Sequence, residues 1–348
     1  MPRPKTTPCP APDIHLPVPL RPRGQSLIAE MLQGEDPSTL SAWRRVYQEL
    51  EGKAKSDNTG EAKRRDLDLF FRYFDQHVGS DQADDWTKSV TAGFLRWLEA
   101  TPIERRQDKK KRKATTVNRV FSTLRHFALW IQNRRVFLAG NPCAGLKELL
   151  TDEPTWKGLA DTEVMRLRSA AEQLLQLKTR GHQQPVRDKA VFLLLLNTGL
   201  RVSELVGLDR AQYKGKHLVD VKRKGKLRTA RLFIPKDARE ALDAYLNELS
   251  GDRGSPLFCT RAGNRLTRQD VDHLLRTLAG QANATIRDKS KHVTLSAHTL
   301  RHTFLRKVAQ EHGVEFAMQM SGHASSKYIW RYVKPSDEQT EQALEKLL

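Results

Sequence analysis

Residues 197–208 read NTGLRVSELVGL. Their first three residues end RDKAVFLLLLNTG, whose apolar run reads as a buried helix. Gly199 suits a tight turn into a second helix. That places Arg201 in the second helix's first turn, where backbone N–H groups are free to meet an anion. Glu204 lies three residues on, on the same face, and can hold the guanidinium in one orientation. Taken alone, the stretch reads more simply as a surface ion pair. Its weight comes from what accompanies it further along the chain.

Three other patterns do so. VKRKGKLRTARLFIP has β-rich runs either side of a Lys-Gly turn and predicts a hairpin with Lys224 at its tip. Lys222 and Lys226 are rivals for any role given to Lys224. HTLRHTF sets His298, Arg301 and His302 at i, i+3 and i+4, on one face of a helix start. A zinc site is excluded there, because no Glu lies between the histidines and a cation sits where the metal would go. His302 reads as a packed, structural histidine. Finally, SGHASSKYIWRYV places His323 after a glycine, with Tyr328 and Tyr332 behind it on a short element.

Composition narrows the partner. The 348 residues carry a formal net charge of +19, with 38% hydrophobic and 29% charged residues. Such a globular, basic chain expects a polyanion. The longest apolar run, residues 190–196, is too short to span a bilayer, and MPRPKTTPCPAPD offers no signal core. Double-stranded DNA in a cytoplasmic, nucleoid-associated setting is therefore expected, with no membrane partner. Cys9, Cys143 and Cys259 are an odd, scattered set and read as reduced thiols. Asp270, Asp272 and His273 offer a metal-nuclease reading, which is set aside because Thr267 and Asp270 make a better capping box.

The expected organisation is mainly α with a small β-sheet. Residues 1–26 hold eight of the sixteen prolines, so residues 1–55 form a partly disordered extension. Within it, residues 38–52 look helical but short of partners. Helical periodicities (Leu67, Phe70, Phe74; Val90, Phe94, Leu98; Val117, Phe121, Leu124) build a small helical domain over 56–140. Its basic loop and the helix behind it offer Lys109, Lys110, Lys111, Arg112, Lys113 and Arg119 to phosphates. A linker over 141–158 and a second domain over 159–335, opening with a cap at Asp161, follow. A terminal helix over 336–348 carries an apolar stripe at Ala343, Leu344, Leu347 and Leu348, fit to dock on another protomer, with docking on its own chain as the alternative.

Two arginines, two histidines, a lysine and a tyrosine suit phosphodiester attack without metal. Guanidiniums stabilise the equatorial oxygens of the transition state, and His and Lys move the protons. A tyrosyl phosphodiester would conserve the bond energy, so no cofactor is expected, and no GxxxxGK[ST] loop occurs.

In order and separation, TGLRVSEL, the Lys-Gly hairpin, HTLRHTF and GHASSKYIWRYV resemble the tyrosine recombinase (phage integrase) family, nearest in pattern to Xer recombinases, over residues 58–335. The resemblance implies a helical SAM-like core-binding domain plus an α+β catalytic domain. It implies that Arg201 and Arg301 clamp the phosphate, supported by Glu204, and that Lys224 protonates the leaving 5′-hydroxyl. His298 would assist proton transfer and His323 would hydrogen-bond the phosphate. The family nucleophile lies nine residues after the Gly-His histidine, which is Tyr332 and not Tyr328. A homotetramer on specific recombination sites, passing through a Holliday junction, is implied, with accessory DNA-bending proteins as further partners. A type IB topoisomerase-like or hairpin telomere-resolving enzyme shares this residue set, and a non-catalytic DNA binder of the same fold is the alternative from another class. The chain departs from the family at MQMS before the Gly-His pair, in the spacing after the hairpin lysine, and over the first 55 residues.

Overall fold

The computed structural model describes residues 23–52, 57–102, 111–151, 158–177, 184–223, 228–249 and 256–321, together with 341, 344, 345 and 347. The chain divides into two compact units, Met1–Glu153 and Pro154–Leu348.

The first unit is helical: α1 (Arg23–Met31), α2 (Leu40–Tyr47), α3 (Asp57–Val78), α4 (Lys88–Ala100) and α5 (Ala114–Gln132). Its core is aromatic. Phe70 packs against Phe74, Trp86 and Phe94, with centroids 4.9–5.6 Å apart. The Trp86 indole, fully buried, satisfies its N–H by donating to Thr91 Oγ1 at 2.8 Å. The segment read as helical but short of partners finds them here. Leu40, Trp43, Val46 and Tyr47 line one face of α2 and are buried. Trp43 meets Trp130 edge-on at 6.1 Å, and Tyr47 meets Phe127 at 5.0 Å. The core therefore begins at Leu40, inside the stretch assigned to an extension. The expected linker also starts later than residue 141. Asn118 on α5 bonds both the N–H and the C=O of Leu149 at 2.9 Å, folding the following segment back on the helices. Cys143 is buried by that return, which pushes its thiol up to about 12 and keeps it protonated. Cys143 and Cys259 are both free.

The second unit surrounds α7 (Pro185–Thr198), with α6 (Asp161–Gln176), α9 (Lys236–Glu248), α10 (Arg268–Asn283) and α11 (Ala297–His312) packed against it. Residues Ala190 to Leu196 are all buried, as expected of a helix that is apolar all round. Pro185 opens α7 at its first turn and Gly199 closes it. Asp161 is not the cap of α6. Ala160 holds that position, and Glu163 reaches back to accept its N–H at 2.8 Å. Short α8 (Val202–Val206) leads to a three-stranded antiparallel meander of β1 (Tyr213–Lys214), β2 (His217–Lys222) and β3 (Arg228–Phe233). Its hairpin was predicted, but two-residue β1 was too short to show a period. The register pairs Leu218 with Leu232 and Val221 with Thr229. Last comes α12 (Val314–Ser321). The helix expected over 336–348 lies mostly outside the described residues. The fold is mainly helical with one small antiparallel sheet, in agreement with the sequence reading.

Candidate active site

The site grows from the end of α7. Gly199 ends the helix at φ 60°, a left-handed conformation that glycine adopts without penalty. A second constraint acts here: a Cβ on this residue would overlap the Phe304 ring of α11. The close approach lets Arg301, also on α11 and only 3% exposed, donate from its NH1 group to the Gly199 carbonyl. Two residues later, Arg201 occupies the N-cap of α8, one position earlier than the first turn expected for it. Both arginines singled out in the sequence are thus fastened to a single three-residue turn.

Glu204 is the third residue of α8 and is 5% exposed. One carboxylate oxygen accepts the Arg201 backbone N–H at 2.9 Å, and the other accepts Arg201 NH1 at 2.8 Å. The first oxygen also accepts NH1 of Arg223 at 2.7 Å. A buried carboxylate is stable in such surroundings because charged donors occupy both its oxygens. Arg223 was missed by the sequence reading. An arginine within KRKGK reads as solvated, and no local signal marks it as buried.

On α11, capped by Ser296 accepting from Thr299 N–H at 3.1 Å, His298 stands one turn before Arg301. The Nε2 atoms of His298 and His302 lie 2.7 Å apart with rings nearly perpendicular, so one donates a proton that the other accepts. His302, expected only to pack, is in direct contact with the candidate histidine. The structure therefore brings Arg201, Glu204 and Arg301 to one turn and sets His298 on the same helix as Arg301. Lys224, His323, Tyr332 and Tyr328 lie outside the described residues.

Of the basic residues in the helical unit, Lys109 and Lys110 also lie outside the described residues. Lys111 and Lys113 are exposed, with Lys113 at the N-cap of α5. Arg112 donates to the Thr101 carbonyl at 2.8 Å, closing the end of α4. Arg119, half exposed, bonds buried Asp66 at 2.5 Å and ties α5 to α3. Among the described residues, no group of three or more His, Cys, Asp or Glu is placed to hold a metal ion. None of the described helices is long and apolar enough to cross a membrane.

A model of the phage integrase family matches residues 160–339, and one of the phage integrase N-terminal SAM-like domain matches residues 45–134. The chain belongs to the phage integrase family, the tyrosine-type site-specific DNA recombinases. Among its relatives, tyrosine recombinase XerD of Oceanobacillus iheyensis is 29% identical, over 77% of this chain and 84% of the relative. Tyrosine recombinase XerC of Neisseria meningitidis is 28% identical, over 81% and 87%. The fold is also that of a Tn1549 transposon integrase solved with circular intermediate DNA (TM-score 0.65, 16% identity, 89% of this chain and 100% of that one). XerH recombinase in a post-cleavage complex gives TM-score 0.65 at 15% identity, covering 92% and 87%.

Proposed function

We propose that in this tyrosine-type recombinase, which works through a phosphotyrosyl intermediate, Tyr332 is the nucleophile and Arg201 and Arg301 clamp the scissile phosphate. The observation that carries this reading is their common anchorage on the Gly199–Arg201 turn. Two guanidiniums fixed before the reaction can stabilise the charge that builds on the equatorial oxygens, at no cost of reorganisation. The phenolic oxygen forms its bond to phosphorus as the bond to the 5′-oxygen breaks. The phenol gives up its proton, assisted by His298, and the leaving 5′-oxygen receives one from Lys224. His323 donates to the phosphate. A 5′-hydroxyl from a partner duplex then displaces the tyrosine. One strand is exchanged at a time, through a Holliday junction.

The helical unit supplies the DNA clamp through Lys111, Lys113 and the adjoining basic loop, and the unit from Pro154 supplies the chemistry. Recombinases of this class bind DNA in oligomeric complexes, and a homotetramer on two sites is the arrangement we favour. Leu344 and Leu347, 57% and 80% exposed, support docking of the terminal helix on a neighbouring protomer.

The test uses a duplex selected from a randomised pool by binding to the full-length protein, then nicked near its cleavage position to trap the intermediate. Wild type should form a covalent protein–DNA adduct in EDTA. Tyr332→Phe should form none, and Tyr328→Phe should form as much as wild type. An adduct that persists in Tyr332→Phe would refute the assignment.

A further inference from the structure

Strand alternation alone would not bury Arg223. Leu218 of β2 points into the core, so regular pleating would send Asp220 and Lys222 inward and Val221 and Arg223 outward. The reverse is observed: Val221 and Arg223 are buried, and Asp220 and Lys222 are exposed. Asp220 is the cause. Its φ of 53° is the single left-handed value among the described non-glycine residues, and it turns the pleat over. Asp220 itself is held by an ion pair with Arg228 across the hairpin.

The reversal delivers Arg223 to a two-point anchor. NH1 donates to Glu204 at 2.7 Å, and Nε donates to Thr229 Oγ1 on β3 at 2.8 Å. Its side chain is 3% exposed. Burying a guanidinium costs free energy, and an apolar residue of similar volume commonly fills such a place at no loss of stability. Glu204 already holds Arg201 through backbone and side chain without it. What Arg223 adds is a link: one carboxylate joins the turn bearing Arg201 to both strands of the hairpin, at the residue just before Lys224.

We propose that Arg223 is a positioning residue that registers the Lys224 hairpin against the arginine clamp, so that the lysine meets the 5′-oxygen as the bond to phosphorus breaks. This rests on the reading above, in which Lys224 is the proton donor. Arg223→Lys keeps the charge but loses the fork that spans Glu204 and Thr229. Arg223→Met removes the charge.

The experiment measures single-turnover adduct formation by the full-length protein on the selected, nicked duplex in two forms. One has the natural 5′-oxygen at the scissile bond, and the other has sulfur there. A thiolate leaves without being protonated, so the sulfur substrate bypasses the proton donor. Both Arg223 variants should be slowed by about 10- to 100-fold on oxygen, less than loss of a general acid itself costs. They should return to within a few-fold of wild type on sulfur, with affinity for the unnicked duplex unchanged. Thr229→Val, which removes only one of the two anchors, should show a smaller defect with the same recovery, and it serves if Arg223→Met does not fold. Equal slowing on both substrates, or none on oxygen, overturns the inference. Lys224→Ala separates the two levels. If sulfur rescues Lys224→Ala but not the Arg223 variants, only the role of Arg223 fails. If sulfur does not rescue Lys224→Ala, the assignment of the proton donor fails with it.

Discussion

At Gly199 the chain turns out of α7 with a left-handed backbone, and the Phe304 ring fills the space a side chain would need. Gly199→Ala therefore meets two penalties. The conformation alone costs roughly 1–2 kcal/mol, which lowers the melting midpoint of the catalytic unit by roughly 2–8 °C. Displacing Phe304 also shifts α11 against the turn, and with it the hold of Arg301 on the Gly199 carbonyl. Calorimetry and adduct formation on the same sample should show cleavage reduced at temperatures where the protein remains folded. Normal cleavage by the folded variant would separate the turn from the chemistry. Gly199, Arg201 and Glu204 were legible because their relation is local, a turn followed by a three-residue spacing. Arg223 was not, because its burial depends on one unusual φ three residues earlier and on a carboxylate nineteen positions away.

Among the elements, α10 shows its start plainly in the sequence. Thr267 Oγ1 accepts the Asp270 N–H at 3.2 Å, and the Asp270 carboxylate accepts the Thr267 N–H at 2.7 Å. Thr267→Val should cost about 1 kcal/mol by denaturant unfolding. The hydrogen bonds from the Thr267 side chain and backbone hold the Asp270 carboxyl below its ordinary 3.8. A lowered folded value favours the native state above the unfolded pKa, and that advantage disappears as the pH falls through the folded one. The stability gap between wild type and Asp270→Asn should thus be flat above about pH 5 and shrink on acidification below pH 4. A gap that widened in acid would contradict the capping arrangement. Helix α2 was legible as an element and not as part of a core, since its aromatic partners Phe127 and Trp130 lie some eighty positions onward. The start of α6 was misplaced by one residue because Ala160, with no capping side chain, relies on Glu163 behind it.

For the whole molecule, a large core in each unit and a net charge of +19 give distinct expectations. Affinity for the selected duplex should fall steeply with salt, by about 10³–10⁵ between roughly 50 and 200 mM if six to ten phosphates are contacted. Titration by fluorescence anisotropy measures the slope, and a shallow one would remove the basic loop from the interface. The nature of the partner was legible because charge composition needs no fold. The division of the chain was less so, since the segment through Leu149 returns to the helical unit by long-range bonds that no local pattern announces.

The tether between Arg301 and Gly199 has one further consequence. Since Arg201 follows on the same backbone, the two positive groups are held at one turn by the Arg301–Gly199 and Arg201–Glu204 hydrogen bonds. On the assignment proposed above, the phosphate meets two guanidiniums that the fold has already assembled on one turn.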